Sequence, residues 1–257
     1  MRYSTSKNKR ILIGAAGILV VLLFWTILSG SFHTLILPSP LESFEAIKGL
    51  WSTGELTKNL LITLTRTFVG FSMAIVIGSV LALLFKSSEF WQHFFRPLIT
   101  IIQTTPPVIW LALAVIWFGI ADNLTPIFLI FIVTFPVIFI NVFSGLDNVN
   151  LQLIEMARVY RCSKSKIILN IYLPSLIPHL VSAMSIGLAF AWKSTIFAEF
   201  IGSSSGIGFA LSMANSNLQT EKLFGWALVL ILLMLIFEYG ILQPIKSYVT
   251  RWDYHEQ

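Results

Sequence analysis

An all-α protein that crosses a membrane about six times is the fold class this sequence predicts, and three observations carry it. Hydrophobic residues make up 56% of the 257-residue chain and charged residues only 11%, with a mean hydropathy of +0.83. That is more apolar side chain than a soluble core of this size buries. Apolar runs of about twenty residues recur along the whole length, whereas a secretory leader is one short run ahead of a polar chain. Basic residues fall mostly on one side of those runs, the signature of cytoplasmic loops.

Six spans are expected, at residues 11–30, 60–85, 98–120, 124–143, 178–201 and 224–242, with the longest connection at 144–177. With the first segment in the cytoplasm, the inside segments hold Arg2, Lys7, Lys9, Arg10, Lys86, Arg96, Arg158, Arg161, Lys164, Lys166, Lys246 and Arg251, against Lys48, Lys58 and Lys222 outside. Twelve against three sets both termini inside. The formal net charge of +5 and pI near 9.4 therefore reflect topology, and no basic run is dense enough to bind nucleic acid. One cysteine, Cys162, permits no internal disulfide, and the four histidines are too scattered to suggest a metal site.

The first span ends before Leu37-Pro38-Ser39-Pro40, where prolines stop a helix. Phe44, Ile47, Leu50 and Trp51 then recur at helical spacing, which fits an interfacial helix or a short helix packed on the protein. The second span sets Arg66, Gly70, Ala74, Gly78 and Ala82 four residues apart; the fifth repeats the pattern with Ala183, Gly187, Ala191, Thr195 and Glu199. Ridges of small residues let helix backbones approach closely in lipid, so both should face protein. The third span carries Thr104-Thr105-Pro106-Pro107 and should kink or restart there; the fourth carries Phe135-Pro136.

Charges inside spans are costly unless they face a cavity or a partner. Arg66, Lys193 and Glu199 are therefore candidates for a translocation pathway, with Arg66 and Lys193 at similar depth able to attract an anion. The alternative is an internal ion pair such as Arg66 with Glu199. Gly202-Ser203-Ser204-Ser205-Gly206-Ile207-Gly208 lacks the lysine and the preceding strand of a phosphate loop and reads as a flexible outer turn. No nucleophile-base motif or metalloprotease motif occurs, so catalysis in this chain is not expected.

The segment at 144–177 is the most informative. Asn150 can cap a short amphipathic helix with Leu153, Ala157 and Tyr160 on one side and Gln152, Glu155 and Arg158 on another. After Arg161, Ser163 can cap a second helix that runs through Ile168 and stops at Leu173-Pro174. Such a helix-bend-helix between two spans forms a knob that a partner's groove can grip.

That segment resembles the signature of permeases of bacterial ATP-binding-cassette importers, in which E-A-A is followed by three residues, a Gly, nine variable positions and I-x-x-x-L-P or a near variant. Glu155-Met156-Ala157 matches at its first and third positions, and Ile171-Tyr172-Leu173-Pro174 closes it, while Arg161 replaces the Gly. The resemblance narrows to permeases of the aliphatic sulfonate, taurine and nitrate importers. Leu37 to Pro40, Gly54-Glu55-Leu56, Thr63 to Arg66 with Gly70, Pro106-Pro107, Trp117-Phe118-Gly119, Pro136 with Asn141, Ala198 to Gly202 and Gly206 to Gly208 carry it.

The resemblance implies a single transmembrane domain with the type I, methionine-importer-like permease fold, and a homodimer in a bacterial inner membrane. Two cytoplasmic ATPase subunits would hold the ATP and Mg, leaving no cofactor in this chain, and a substrate-binding protein would deliver a small anionic solute from outside, either sulfonate-, taurine- or nitrate-like or thiamine-precursor- or riboflavin-like. Glu155, Met156, Ala157, Arg158, Arg161, Ile171, Leu173 and Pro174 would then make the ATPase-coupling element. The rival reading is a secondary transporter driven by H⁺ or Na⁺, using Arg66, Lys193 and Glu199 to bind its solute.

Overall fold

The computed structural model describes residues 7–86, 88–120 and 123–245. The expected cytoplasmic termini, with Arg2, Lys246 and Arg251, lie outside them. The described residues form helices joined by short connections: α1 (Lys7–Ser29), α2 (Pro40–Ser52), α3 (Glu55–Lys86), α4 (Glu89–Thr104), α5 (Pro107–Phe118), α6 (Leu124–Asp147), α7 (Leu151–Val159), α8 (Lys164–Ile167), α9 (Leu173–Gly202), α10 (Ile207–Ser216) and α11 (Thr220–Leu235). Four stretches are long and apolar enough to cross a membrane: α3, α6, the run from α8 through α9, and the run from α11 to Ile245. The pair α4 and α5 makes a fifth, bent by 93° at Thr105-Pro106, where the proline pair was expected to break the third span. The sixth expected span is α1, whose apolar stretch is shorter, Ala16–Ser29.

The core is α6 held between α3 and α9, and the small-residue ridges explain why. Gly70, Ala74, Gly78 and Ala82 on α3 are buried, as are Ala183, Gly187 and Ala191 on α9. Branched side chains of α6 occupy the space those ridges leave. A Cβ at Gly70 would sit 2.7 Å from Ile130 Cβ, and one at Gly187 would sit 2.9 Å from Ile138 Cδ1. Lipid offers no hydrophobic drive for association, so this interdigitation supplies it through van der Waals contact. At the end of the bundle that carries α7, Gly145 of α6 lets His179 of α9 pack just as closely.

Helix α2 occupies the first outer segment. Ser39 and Glu42 form a reciprocal capping box that starts it after the prolines. Leu50 is buried against Trp226 of α11, so the helix packs on the protein, while Phe44 and Trp51 stay exposed. Pro136 leaves α6 unbroken.

The fifth span differs from expectation at its start. The second helix of the knob does not stop at Leu173-Pro174; α8 passes through a π-helical segment at Ile168–Tyr172 straight into α9. A proline ring clashes with the carbonyl four residues back and has no N–H to give it. The wider π turn just before Pro174 relieves that clash without ending the helix. The result is one helix of 39 residues from Lys164 to Gly202.

Candidate functional site

Two sites stand at opposite ends of this long helix. At one end, Asn150 Oδ1 accepts from the Gln152 N–H at 2.9 Å and starts α7 as expected. The buried side of α7 is Ile154 and Ala157; Leu153 and Tyr160, expected with Ala157, are exposed instead. One residue of register accounts for the difference, because Ile154 and Ala157 are three apart and share a helix face. Outward, Leu151, Met156 and Val159 are each more than half exposed and are interleaved with exposed Gln152 and Glu155. A rim of apolar side chains this open on a short helix marks a contact surface.

The bend after α7 forms although arginine stands at its turning point. Arg161 adopts φ +50°, and the Cys162 N–H reaches the Ala157 carbonyl at 2.9 Å while the Tyr160 N–H reaches Met156 at 3.0 Å. That is the left-handed helix ending usually made with glycine. Ser163, expected to cap the next helix, makes no side-chain cap bond; its backbone carbonyl accepts from Ile167 instead. Glu155, Met156, Arg158, Arg161, Leu173 and Pro174 are all exposed, and Ile171 is half-buried.

At the far end, a buried polar cluster joins α3, α9 and the turn before α10. Arg66 and Glu199 form an ion pair at 3.0 Å, with Arg66 2% and Glu199 0% exposed. The Arg66 guanidinium also donates to Asn123 Oδ1 at 2.9 Å, to the Ser205 carbonyl at 2.7 Å and to Ser205 Oγ at 2.9 Å. Glu199 Oε2 accepts from Thr63 Oγ1 at 2.8 Å and from the Gly208 N–H at 3.0 Å. Thr63 Oγ1 in turn accepts from the Ile207 N–H, and Asn59 Oδ1 from the Gly206 N–H. Of the two readings of these charges, the geometry forms the ion pair, and four of the five guanidinium N–H groups donate to protein acceptors.

The glycine-serine segment is therefore no loose turn. Its three successive N–H groups at Gly206, Ile207 and Gly208 lie at the start of α10, a place that attracts anions. The chain's own Glu199 and the side-chain oxygens of Asn59 and Thr63 fill it. A Cβ at Gly206 or Gly208 would overlap Glu199, and Gly206 has φ +99°, so both positions require glycine. Nothing in the sequence marks Asn59 or Asn123, and it presents Thr63 and Ser205 only within the family-resembling run and the outer turn, not as partners of the charges. Thr63 and Arg66 lie three residues apart on the buried side of α3, the pattern that could have pointed to Thr63.

Lys193 lies apart from this cluster. It is exposed on α9, on the side where Ile186, Phe190 and Phe200 are also open, and it makes no ion pair among the described residues. An unpaired ammonium on a membrane-crossing helix requires water, a polar cavity or a second chain beside it.

Comparison with known proteins agrees with this architecture. The profile of a family described as "Binding-protein-dependent transport system inner membrane component" matches residues 74–245. The nitrate import permease protein NrtB of Synechocystis sp. is 33% identical over 83% of this chain and 81% of its own length. The taurine transport system permease protein TauC of Escherichia coli is 24% identical over 98% of this chain and 92% of its own. In fold, the chain is similar to a chain of the MetNI methionine ABC transporter in an inward-facing conformation, with a TM-score of 0.61 and 21% identity, covering 74% of this chain and 95% of that one.

Proposed function

The chain belongs to the family of binding-protein-dependent transport system inner membrane components, and from that premise we propose that it is the membrane subunit of an ATP-binding-cassette importer for a small anion. Two copies would form the pathway. Two ATPase subunits would dock on the cytoplasmic side and hold ATP and Mg, and a separate binding protein would deliver the solute from outside. The relatives named for nitrate and taurine support a cargo with a small oxyanion group, nitrate itself or the sulfonate of zwitterionic taurine.

The observation that carries the ATPase-coupled reading is the knob from Asn150 to Pro174, whose exposed side is apolar around Glu155 and whose second half runs without a break into α9. Glu155, Met156, Ala157, Arg158, Arg161, Ile171, Leu173 and Pro174 are its coupling residues in this proposal. ATP closure of the ATPase pair draws two such knobs together and biases the helices between two openings, a ligand-driven shift of a two-state element. Lys193 supplies an unpaired positive charge for the anion's passage. Arg66 and Glu199 hold the outer end of α3 and α9 together beside that passage.

The test is co-purification. Glu155→Arg reverses the charge in the middle of the exposed rim without touching the buried Ile154 and Ala157. It is expected to leave the protein in the membrane and to abolish recovery of the ATPase encoded with it. Unchanged ATPase recovery, or solute accumulation by the purified chain alone under a proton gradient, refutes the assignment.

A further inference from the structure

Helix α4 is unlike the other membrane helices of this chain. Gln92, His93, Arg96, Thr100 and Gln103 share one side of it, and Phe90, Trp91, Phe94, Leu98 and Ile101 lie exposed on the other. Where its polar side meets α3 and α6, a groove of about 340 Å³ opens. Phe85, Phe95, Phe139 and Phe143 line it, with Phe85 and Phe95 stacked at 4.1 Å between ring centroids. Arg96, His93, Thr100, Ser144 and Asp147 are among the other lining residues.

Among the described residues, the charges at this groove leave one cation free. Asp147 is paired with Lys86, whose ammonium also lies 5.2 Å from the Phe143 ring. Glu89 is exposed in the first turn of α4, and only its backbone carbonyl engages His93. Arg96 is exposed at the groove and has no ion-pair partner among the described residues. A planar, always-charged guanidinium there is suited to a phosphate.

The position completes the argument. The groove is at the end of the bundle that carries α7, which the distribution of basic residues assigns to the cytoplasm, and Asp147 is the last residue of α6. Exposed aromatic rings beside a cation at the end of a span are a headgroup-level pattern, and basic pockets between helices on that side hold anionic lipid headgroups. Four phenyl rings would be wasted on an inorganic anion, but they match acyl chains.

We propose that this groove binds an anionic phospholipid of the inner leaflet, with its phosphate at Arg96 and its acyl chains along Phe85, Phe95, Phe139 and Phe143. The full-length protein, purified and offered dioleoyl phosphatidylglycerol or dioleoyl phosphatidylcholine, is read by native mass spectrometry for retained lipid. Phosphatidylglycerol is expected to be retained about fivefold better, because choline neutralises the net charge of phosphatidylcholine, whereas phosphatidylglycerol keeps the charge that one basic residue attracts. Arg96→Ala is expected to abolish the preference, Arg96→Lys to keep part of it, and Lys48→Ala, on the opposite side of the membrane, to leave it intact. Should Arg96→Ala aggregate, Arg96→Gln takes its place in the comparison.

Equal retention of the two lipids, or an Arg96 variant that still prefers phosphatidylglycerol, overturns the proposal. So does displacement of the lipid by free taurine, which would make the groove part of a solute path. Binding is read without an ATPase or transport, so a negative result leaves the importer assignment standing.

Discussion

Arg66→Met is the substitution that separates a structural ion pair from a solute-binding charge. Methionine approximates the length of the arginine stem, so the loss is chiefly electrostatic. The variant removes four hydrogen bonds and leaves Glu199, at 0% exposure, with Thr63 and Gly208 as donors but no countercharge. Breaking a buried pair from one side costs about 3–5 kcal/mol, so the folded population should fall roughly a thousandfold relative to the unfolded. Arg66→Met combined with Glu199→Gln removes the stranded charge and keeps an acceptor for the Gly208 N–H. The double variant should therefore be more stable than the sum of the singles predicts, with a coupling of about 1–3 kcal/mol. Reversible unfolding in mixed micelles, followed by tryptophan fluorescence across all four proteins of the cycle, measures it. Additive losses would refute the lock. An Arg66→Met protein as stable as the parent but inactive in transport would return Arg66 to the pathway.

Lys193→Ala should lower transport in the reconstituted complex while leaving thermal stability unchanged, because the lysine is exposed and holds no partner among the described residues. Full transport by that variant would remove Lys193 from the path. Gly187→Val forces a side chain against Ile138 and Thr134 and should cost about 1–3 kcal/mol. Adding Ile138→Ala should recover part of that loss, and monodisperse yield together with melting temperature reads both effects. Arg161→Gly relieves the cost of φ +50° and should protect the Cys162 amide from hydrogen exchange, with a gain of at most about 1 kcal/mol because glycine also loosens the unfolded chain.

The sequence made the helices readable because membrane crossing imposes one strong rule, a long apolar run, and it made the packing readable because close approach needs small residues at fixed spacing. Gly70 to Ala82 and Ala183 to Ala191 met both conditions. What escaped were features decided by partners far apart in the chain. Helix α10 was overlooked because its apolar residues follow a glycine-serine segment that suggests a turn. The hydrogen bonds from Arg66 to Asn123 and Ser205 join residues 57 and 139 positions apart. The continuation of α8 into α9 was misread because proline normally ends a helix, and a local π turn is not legible in side-chain spacing. Arg161 stands where the family signature has glycine, which put the bend after α7 in question, yet the bend forms, closed by the backbone bonds from Tyr160 and Cys162.

The unbroken helix from Lys164 to Gly202 gives the molecule a lever. At 1.5 Å per residue its 39 residues make an arm of about 58 Å, with the knob at one end and Glu199 close to the other. A tilt of about 5° pivoting at the knob sweeps the opposite tip sideways by about 5 Å, more than the 3.0 Å that separates Arg66 from Glu199. Push applied to α8 is therefore felt across the whole thickness of the bilayer, and the π turn at Ile168–Tyr172 and Pro178 just beyond it are the places near the knob where the arm can flex.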